Sequence, residues 1–229
     1  AALVFAVGGI VGGVGVVATS TTPEYGGHLT VADAKVKGEI EIAAKSSVAL
    51  KLRTAGIGGV AGMVCAGGAT LTGCTNDATI QQSVTNARNN AYAQHMGGII
   101  GFIAGGDSEI RSCTNNGVLD NEHYNNNNWT NGGTSGSIGG IIGAYGYKMT
   151  IAGTIKIADC VNTATVRSKR GMSGGIAGYL REGEIKGCNN SGSMAQGERS
   201  FIGGIAAIVE NTAVSGCTAL CNIGGLSAG

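Results

Sequence analysis

The residues able to do acid–base or nucleophilic chemistry fall into three small sets. The carboxylates Asp107, Glu109, Asp159, Glu182 and Glu184 lie just ahead of recurring cysteines. Two such groups held about 5–9 Å apart would suit glycoside hydrolysis, but acidic residues in turns are also ordinary solvent-facing choices. The three histidines, His28, His95 and His123, lie in different stretches with no shared frame. No phosphate-binding loop and no His-Glu-x-x-His is present. The seven cysteines contain no Cys-x-x-Cys, and Cys217 and Cys221 have no histidine near them, so no structural zinc and no other metal is expected. No cofactor is expected either.

A fourth set suits binding better than catalysis. The stretch Asp120–Gly136, DNEHYNNNNWTNGGTSG, holds the single tryptophan. Trp129 and Tyr124 offer rings for the apolar face of a sugar, while His123, Asn127 and Asn128 offer hydrogen-bonding groups for its hydroxyls. These five residues are the candidate binding site, and the alternative is an asparagine-rich loop anchored by Trp129. Tyr145, Tyr147 and Tyr179 either extend such a surface or serve as packing.

What positions these residues is a repeat built from two short words. The first is Gly-Gly-Ile-x-Gly, at Gly8–Gly12, Gly58–Gly62, Gly97–Gly101, Gly139–Gly143 and Gly174–Gly178, with a last copy at Gly203–Ala207. The second is Cys-x-Asn-x-small-x-aliphatic, beginning at Cys74, Cys113, Cys160 and Cys188, with degenerate copies at Ala34 and Cys217. That makes six repeats. The last two steps, from 160 to 188 to 217, are 28 and 29 residues, against 39 and 47 for the steps from 74 to 113 to 160. The surplus reads as loops inserted into a constant frame, as in stacked repeat proteins.

Within one repeat an aliphatic residue stands three positions before the cysteine position: Val31, Leu71, Ile110, Ile157, Ile185 and Val214. An offset of three breaks the two-residue alternation of a strand, so both side chains point inward only if the chain turns a corner between them. Asn76, Asn115, Asn162 and Asn190 follow in a turn and, stacked, would bond one another in a ladder. Cys74, Cys113, Cys160, Cys188 and Cys217 would form a file of free thiols, because parallel side chains in register point the same way and disfavour a disulfide. The first word, read as one strand, is apolar on both faces, so another domain, an inserted loop or a second chain is expected to cover its outer face. The architecture expected is all-β: a right-handed parallel β-helix of about six coils with three strands per coil, over residues 1–229 as a single domain from a longer surface protein.

Composition agrees. There are 43 glycines, one proline, 4% aromatic and 13% charged residues, so the interior must be filled with Ile, Val, Ala, Cys and Met. A net charge of +1 gives no field to draw nucleic acid. The cluster Arg167, Lys169, Arg170, Arg181 and Lys186 reads as a solvated edge, and no stretch is long and apolar enough to span a bilayer.

The two words together resemble the repeats of bacterial cell-surface and secreted β-helix proteins, including the GLUG-motif group found in adhesins and some surface peptidases. The resemblance runs from Gly8 to Ile223. It implies an extracellular or cell-surface location and a module for adhesion, with a glycan or a cell-surface protein as partner. It carries no catalytic residues onto this chain. A polysaccharide lyase or glycoside hydrolase, and a purely structural stalk, are the competing expectations.

Overall fold

The computed structural model describes residues 3–17, 23–45, 52–85, 93–121, 136–147, 149–150, 152–169, 171–197 and 200–225. Among them there is no helix, and the strands form four parallel sheets in which each repeat contributes at every level. A small antiparallel pair, Val16–Val17 with Pro23–Tyr25, is the exception. The first sheet holds Leu3–Gly8, Leu52–Gly58, Ala93–Gly97, Ser137–Gly139, Gly171–Gly174 and Ser200–Gly203, in that order. The six repeats therefore stack in sequence order, like residue over like residue.

The second sheet is two ladders side by side. One runs through Val11–Val14, Ala61–Val64, Ile100–Ile103 and Ile142–Tyr145; the other runs through Leu29–Ala32, Ala69–Thr72, Ser108–Arg111 and Ile155–Ala158. The long strands Ala177–Lys186 and Ala206–Ser215 pass through both. Where the first four repeats carry loops between the ladders, these last two carry only a kink at Glu182 (φ 57°) and Asn211 (φ 45°). The third sheet is made of two-residue strands such as Thr114–Asn115 and the fourth of strands such as Leu119–Asn121. Repeats two to four thus contribute five short strands and the last two contribute four, instead of the three expected.

The expected corner is present in every repeat. The residue just before the cysteine position has positive φ at Asp33, Gly73, Ser112, Asp159, Gly187 and Gly216. Beyond the corner the amides line up as anticipated. Asn76 Nδ2 donates to Asn115 Oδ1, Asn115 Nδ2 to Asn162 Oδ1 and Asn162 Nδ2 to Asn190 Oδ1, each at 2.8 Å. These asparagines are buried. The cysteines form the file that the repeat requires. The backbone carbonyls of Cys74, Cys113, Cys160 and Cys188 each accept from a residue one layer up, as Cys74 O does from Thr114 N and Cys113 O from Val161 N. All seven thiols are free.

The Gly-Gly-Ile-x-Gly word is not one strand, and the reading of its two apolar faces is corrected here. The chain ends one strand at the first glycine and begins the next two residues after the second, so the word is the apex of an arch whose limbs lie in different sheets. The limbs close on each other around Met63, Phe102, Ala144, Met172 and Tyr179. The last glycine of the word permits this. A Cβ at Gly62, Gly143 or Gly178 would stand only 2.6–2.7 Å from the backbone N of Val7, Met96 or Ile138 on the opposite limb. The outer face of the first limb, with Ile57, Met96 and Ile138, packs on Ile80, Leu119, Val166 and Met194. The outer face of the second packs into the main core with Leu71, Ile110, Ile157 and the cysteine file. The chain itself covers both faces, where a loop, domain or second copy was expected.

The two words form one packing unit. The second glycine of the apex rests on the asparagine ladder: a Cβ at Gly59 or Gly140 would lie 2.5 Å from the Cγ of Asn76 or Asn162. In the sixth repeat Ala219 takes the asparagine position opposite Gly204.

Candidate functional site

The second ladder of the second sheet turns its alternate residues outward. Parallel register sets Thr30, Thr70, Glu109, Lys156 and Glu184 in one file. Three positions before each inward aliphatic, His28, Asp107 and Thr154 leave the inserted loops and stand beside that file. Of these, His28, Thr70, Asp107, Glu109, Thr154 and Lys156 line an open groove of about 450 Å³ that crosses four repeats. Ser108 also reaches it, but its hydroxyl is committed to the backbone, accepting from Ala69 N and donating to Gly106 O.

The polar groups of the groove are held in place. His28 Nδ1 lies 2.7 Å from Gly67 O, and its Nε2 lies 2.8 Å from Thr70 Oγ1. Asp107 Oδ1 accepts from Thr154 N at 3.1 Å and from Thr154 Oγ1 at 3.3 Å. Glu109 is gripped by Arg111 through Nε at 2.9 Å and Nη2 at 2.6 Å, and Arg111 also reaches Asp159 at 3.6 Å. Among the described residues the Lys156 ammonium has neither an ion-pair nor a hydrogen-bond partner, although Glu109 and Glu184 flank it in register.

Cations or neutral donors therefore stand among the acidic residues singled out from the sequence. Arg111 stands between Glu109 and Asp159, Lys156 between Glu109 and Glu184, and Glu182 accepts from Asn211 Nδ2 at 2.9 Å. The two described histidines lie apart. His28 lines the groove, His95 is sealed in the arch, and His123 lies outside the described residues. His95 stacks on Phe102 with centroids 4.6 Å apart, meets Tyr147 edge-on, and bonds Ser137 Oγ through Nδ1 at 2.5 Å. Its Nε2 is buried without a partner, and burial lowers its pKa to about 3.

The remaining candidates resolve as packing or lie out of view. Tyr145 is buried with its hydroxyl on Gly106 O, and Tyr179 meets Tyr147 edge-on inside the arch. Trp129, Tyr124, His123, Asn127 and Asn128 all lie outside the described residues. In the basic cluster, Arg167 pairs with Asp120 at 3.0 Å and Arg181 donates to Met149 O, while Arg170 lies outside the described residues. The string Gly171-Met172-Ser173-Gly174-Gly175 has the Gly-x-Ser-x-Gly spelling of a nucleophile elbow. Ser173 lies on a strand, however, and its hydroxyl is fully buried with no partner, so it cannot meet a substrate.

The thiols of the cysteine file act on one another and are shut away from solvent: hydrogen bonds from the Cys160 sulfur, and for Cys113 also from Cys74, hold Cys113 and Cys188 below the usual thiol range, and both are fully buried. The Cys113 and Cys188 sulfurs, together with burial, hold the Cys160 thiol far above its usual range. Burial pushes Cys65, inside the arch, up to about 11. Among the described residues no group of three metal-ligating side chains comes together, and no helix is long and apolar enough to cross a membrane.

Sequence reasoning missed the groove, although a signal was there. Aligning the repeats on the inward aliphatic brings Thr70, Glu109 and Lys156 to one position and His28, Asp107 and Thr154 to another. No family model, no curated protein and no solved structure matches this chain.

Proposed function

We propose that this chain is a non-catalytic binding module displayed outside the cell, built on a right-handed parallel β-helix, with a glycan or a cell-surface protein as its ligand. The observation that carries the reading is the lateral groove, a 450 Å³ depression assembled from four repeats and lined by tethered polar side chains. Stacked repeats put function on such a lateral face because each layer adds one equivalent position to it. A right-handed path follows from the general preference of parallel crossover connections. The likeness of both repeat words to GLUG-type surface repeats supports the location, and the asparagine ladder supports a stiff frame for display.

The groove carboxylates favour binding over hydrolysis. An acid and a nucleophile in a glycosidase must both face the scissile bond, whereas Glu109 is gripped by Arg111 and Asp107 accepts from Thr154. One observation favours a second reading, a glycoside hydrolase. Glu109 and Glu184 lie two strands apart on one file, roughly twice the ~4.8 Å strand spacing, which is near the separation used by inverting enzymes.

A glycan array probed with the wild-type chain, Trp129→Ala and Lys156→Ala tests the proposal. Binding lost in either variant supports a ligand site and says which. No signal from the wild type on glycans or on cells overturns the binding reading in favour of a stalk. Release of reducing ends by the wild type, abolished in Glu184→Gln, would establish the hydrolase instead.

A further inference from the structure

The directions of the hydrogen bonds in the groove decide what it can recognise. A carbonyl only accepts, so His28 Nδ1, 2.7 Å from Gly67 O, carries the proton. In the neutral ring Nε2 is then an acceptor, and the Thr70 hydroxyl spends its proton on it at 2.8 Å. Thr70 therefore shows the groove lone pairs only. Thr154 is in the same position, because its hydroxyl proton goes to Asp107 Oδ1. Both carboxylates are acceptors as well. Against these four acceptors the groove sets one uncommitted donor, the Lys156 ammonium. The charges balance: Asp107 and Glu109 offset Lys156 and the Arg111 that grips Glu109.

We propose that this groove selects an uncharged, hydroxyl-rich oligosaccharide over acidic ones. The inference rests on the glycan-binding reading above and narrows its ligand class. Sugar hydroxyls supply the donors that Thr70, Thr154, Asp107 and Glu109 lack, and a ring or hydroxyl oxygen accepts from Lys156. Uronic-acid or sulfated chains would bring further acceptors to a groove whose acceptors already outnumber its free donors, and only Lys156 could meet their charge while Asp107 and Glu109 oppose it. The files repeat at ~4.8 Å up the stack, similar to the advance per ring of an extended β-linked chain, so successive sugars meet equivalent positions in successive repeats. The groove volume lies within the usual range for small-ligand sites.

Isothermal titration of the full chain with neutral hexasaccharides (gluco-, manno- and xylo-configured) and with hexagalacturonate tests this. A neutral hexasaccharide is expected to bind and hexagalacturonate not to. Thr70→Val and Thr154→Val keep the side-chain shape and remove the acceptor, and each should weaken the neutral ligand by about fivefold, the worth of one hydrogen bond. Their urea midpoints should stay within error of the wild type, which separates lost recognition from lost folding. Preference for hexagalacturonate overturns the inference. So does neutral binding that is unchanged in both valine variants and abolished by Trp129→Ala, which leaves the glycan-binding reading standing at a different site. Absence of any saccharide binding by the wild type overturns both.

Discussion

Replacing Asn115 by alanine should cost a large share of the stability of this fold. Asn115 accepts from Asn76 Nδ2 at 2.8 Å and donates to Asn162 Oδ1 at 2.8 Å and to Gly117 O at 3.1 Å. It is wholly buried, as are its two neighbours in the ladder. Truncation leaves an N–H of Asn76 and the Oδ1 of Asn162 facing each other across a gap too wide to bond, two layers apart. Buried polar groups left unpaired cost about 1–3 kcal/mol each, and the void adds to this. The expected loss is about 3–5 kcal/mol, out of a total that for single domains is typically about 5–15 kcal/mol. The control is the next residue. Asn116 is exposed and bonds Asp77 and Thr163 at the surface, so Asn116→Ala should cost less than about 1 kcal/mol. Equilibrium urea unfolding reads both, with the slope of the transition compared to check that the unfolding unit has not changed. A double-mutant cycle with Asn162→Ala should show coupling of about 1–3 kcal/mol. If Asn115→Ala unfolds within 1 kcal/mol of wild type, or if the two positions prove additive, the ladder is not a cooperative element and the reasoning fails.

Three further outcomes follow from the arch and the thiol file. Gly143→Ala places a methyl 2.6 Å from Met96 N, so the limbs must part; overpacking of this kind costs about 1–3 kcal/mol, and the thermal midpoint should fall accordingly. Burial lowers the pKa of His95 from 6.5 to about 3, so between those values the unfolded chain binds the extra proton. The contribution is complete above pH 6.5 and is lost as pH falls towards 3, amounting to about 2 kcal/mol between pH 7 and pH 5; His95→Phe should remove that part of the slope in urea melts taken across the range. In native protein at pH 8 a thiol reagent should modify the half-buried Cys217 and Cys221 fastest. The five buried thiols should react only on denaturation, and rapid native labelling of Cys113 or Cys160 would contradict their place in the core.

Sequence alone determined everything that depends on like residues lying over like. Once a unit repeats and its strands pair in parallel register, equal positions must stack, so the cysteine file, the asparagine ladder and the corner ahead of each cysteine were all legible from spacing. The corner was legible because an offset of three cannot be accommodated by a two-residue alternation, and it falls on Asp33, Ser112 and Asp159 as readily as on glycine. The candidate site was legible only in part. The polar files of the groove are visible once the repeats are aligned, but their meeting in one depression depends on loops whose paths no periodicity records.

The arch was decided by tertiary structure. Val7 and Val11, or Ile138 and Ile142, alternate as they would on one straight strand, and nothing in that pattern reveals that the chain reverses between them. Two adjacent glycines tolerate either path. What selects the fold-back is the space available: the absence of a side chain at Gly62, Gly143 and Gly178 lets two backbones touch, and the asparagine beneath the apex leaves room there only for glycine. Periodicity reports which residues share a direction along a strand. Which surface each direction meets is set by contacts between residues of neighbouring repeats, and those exist only after the chain has stacked.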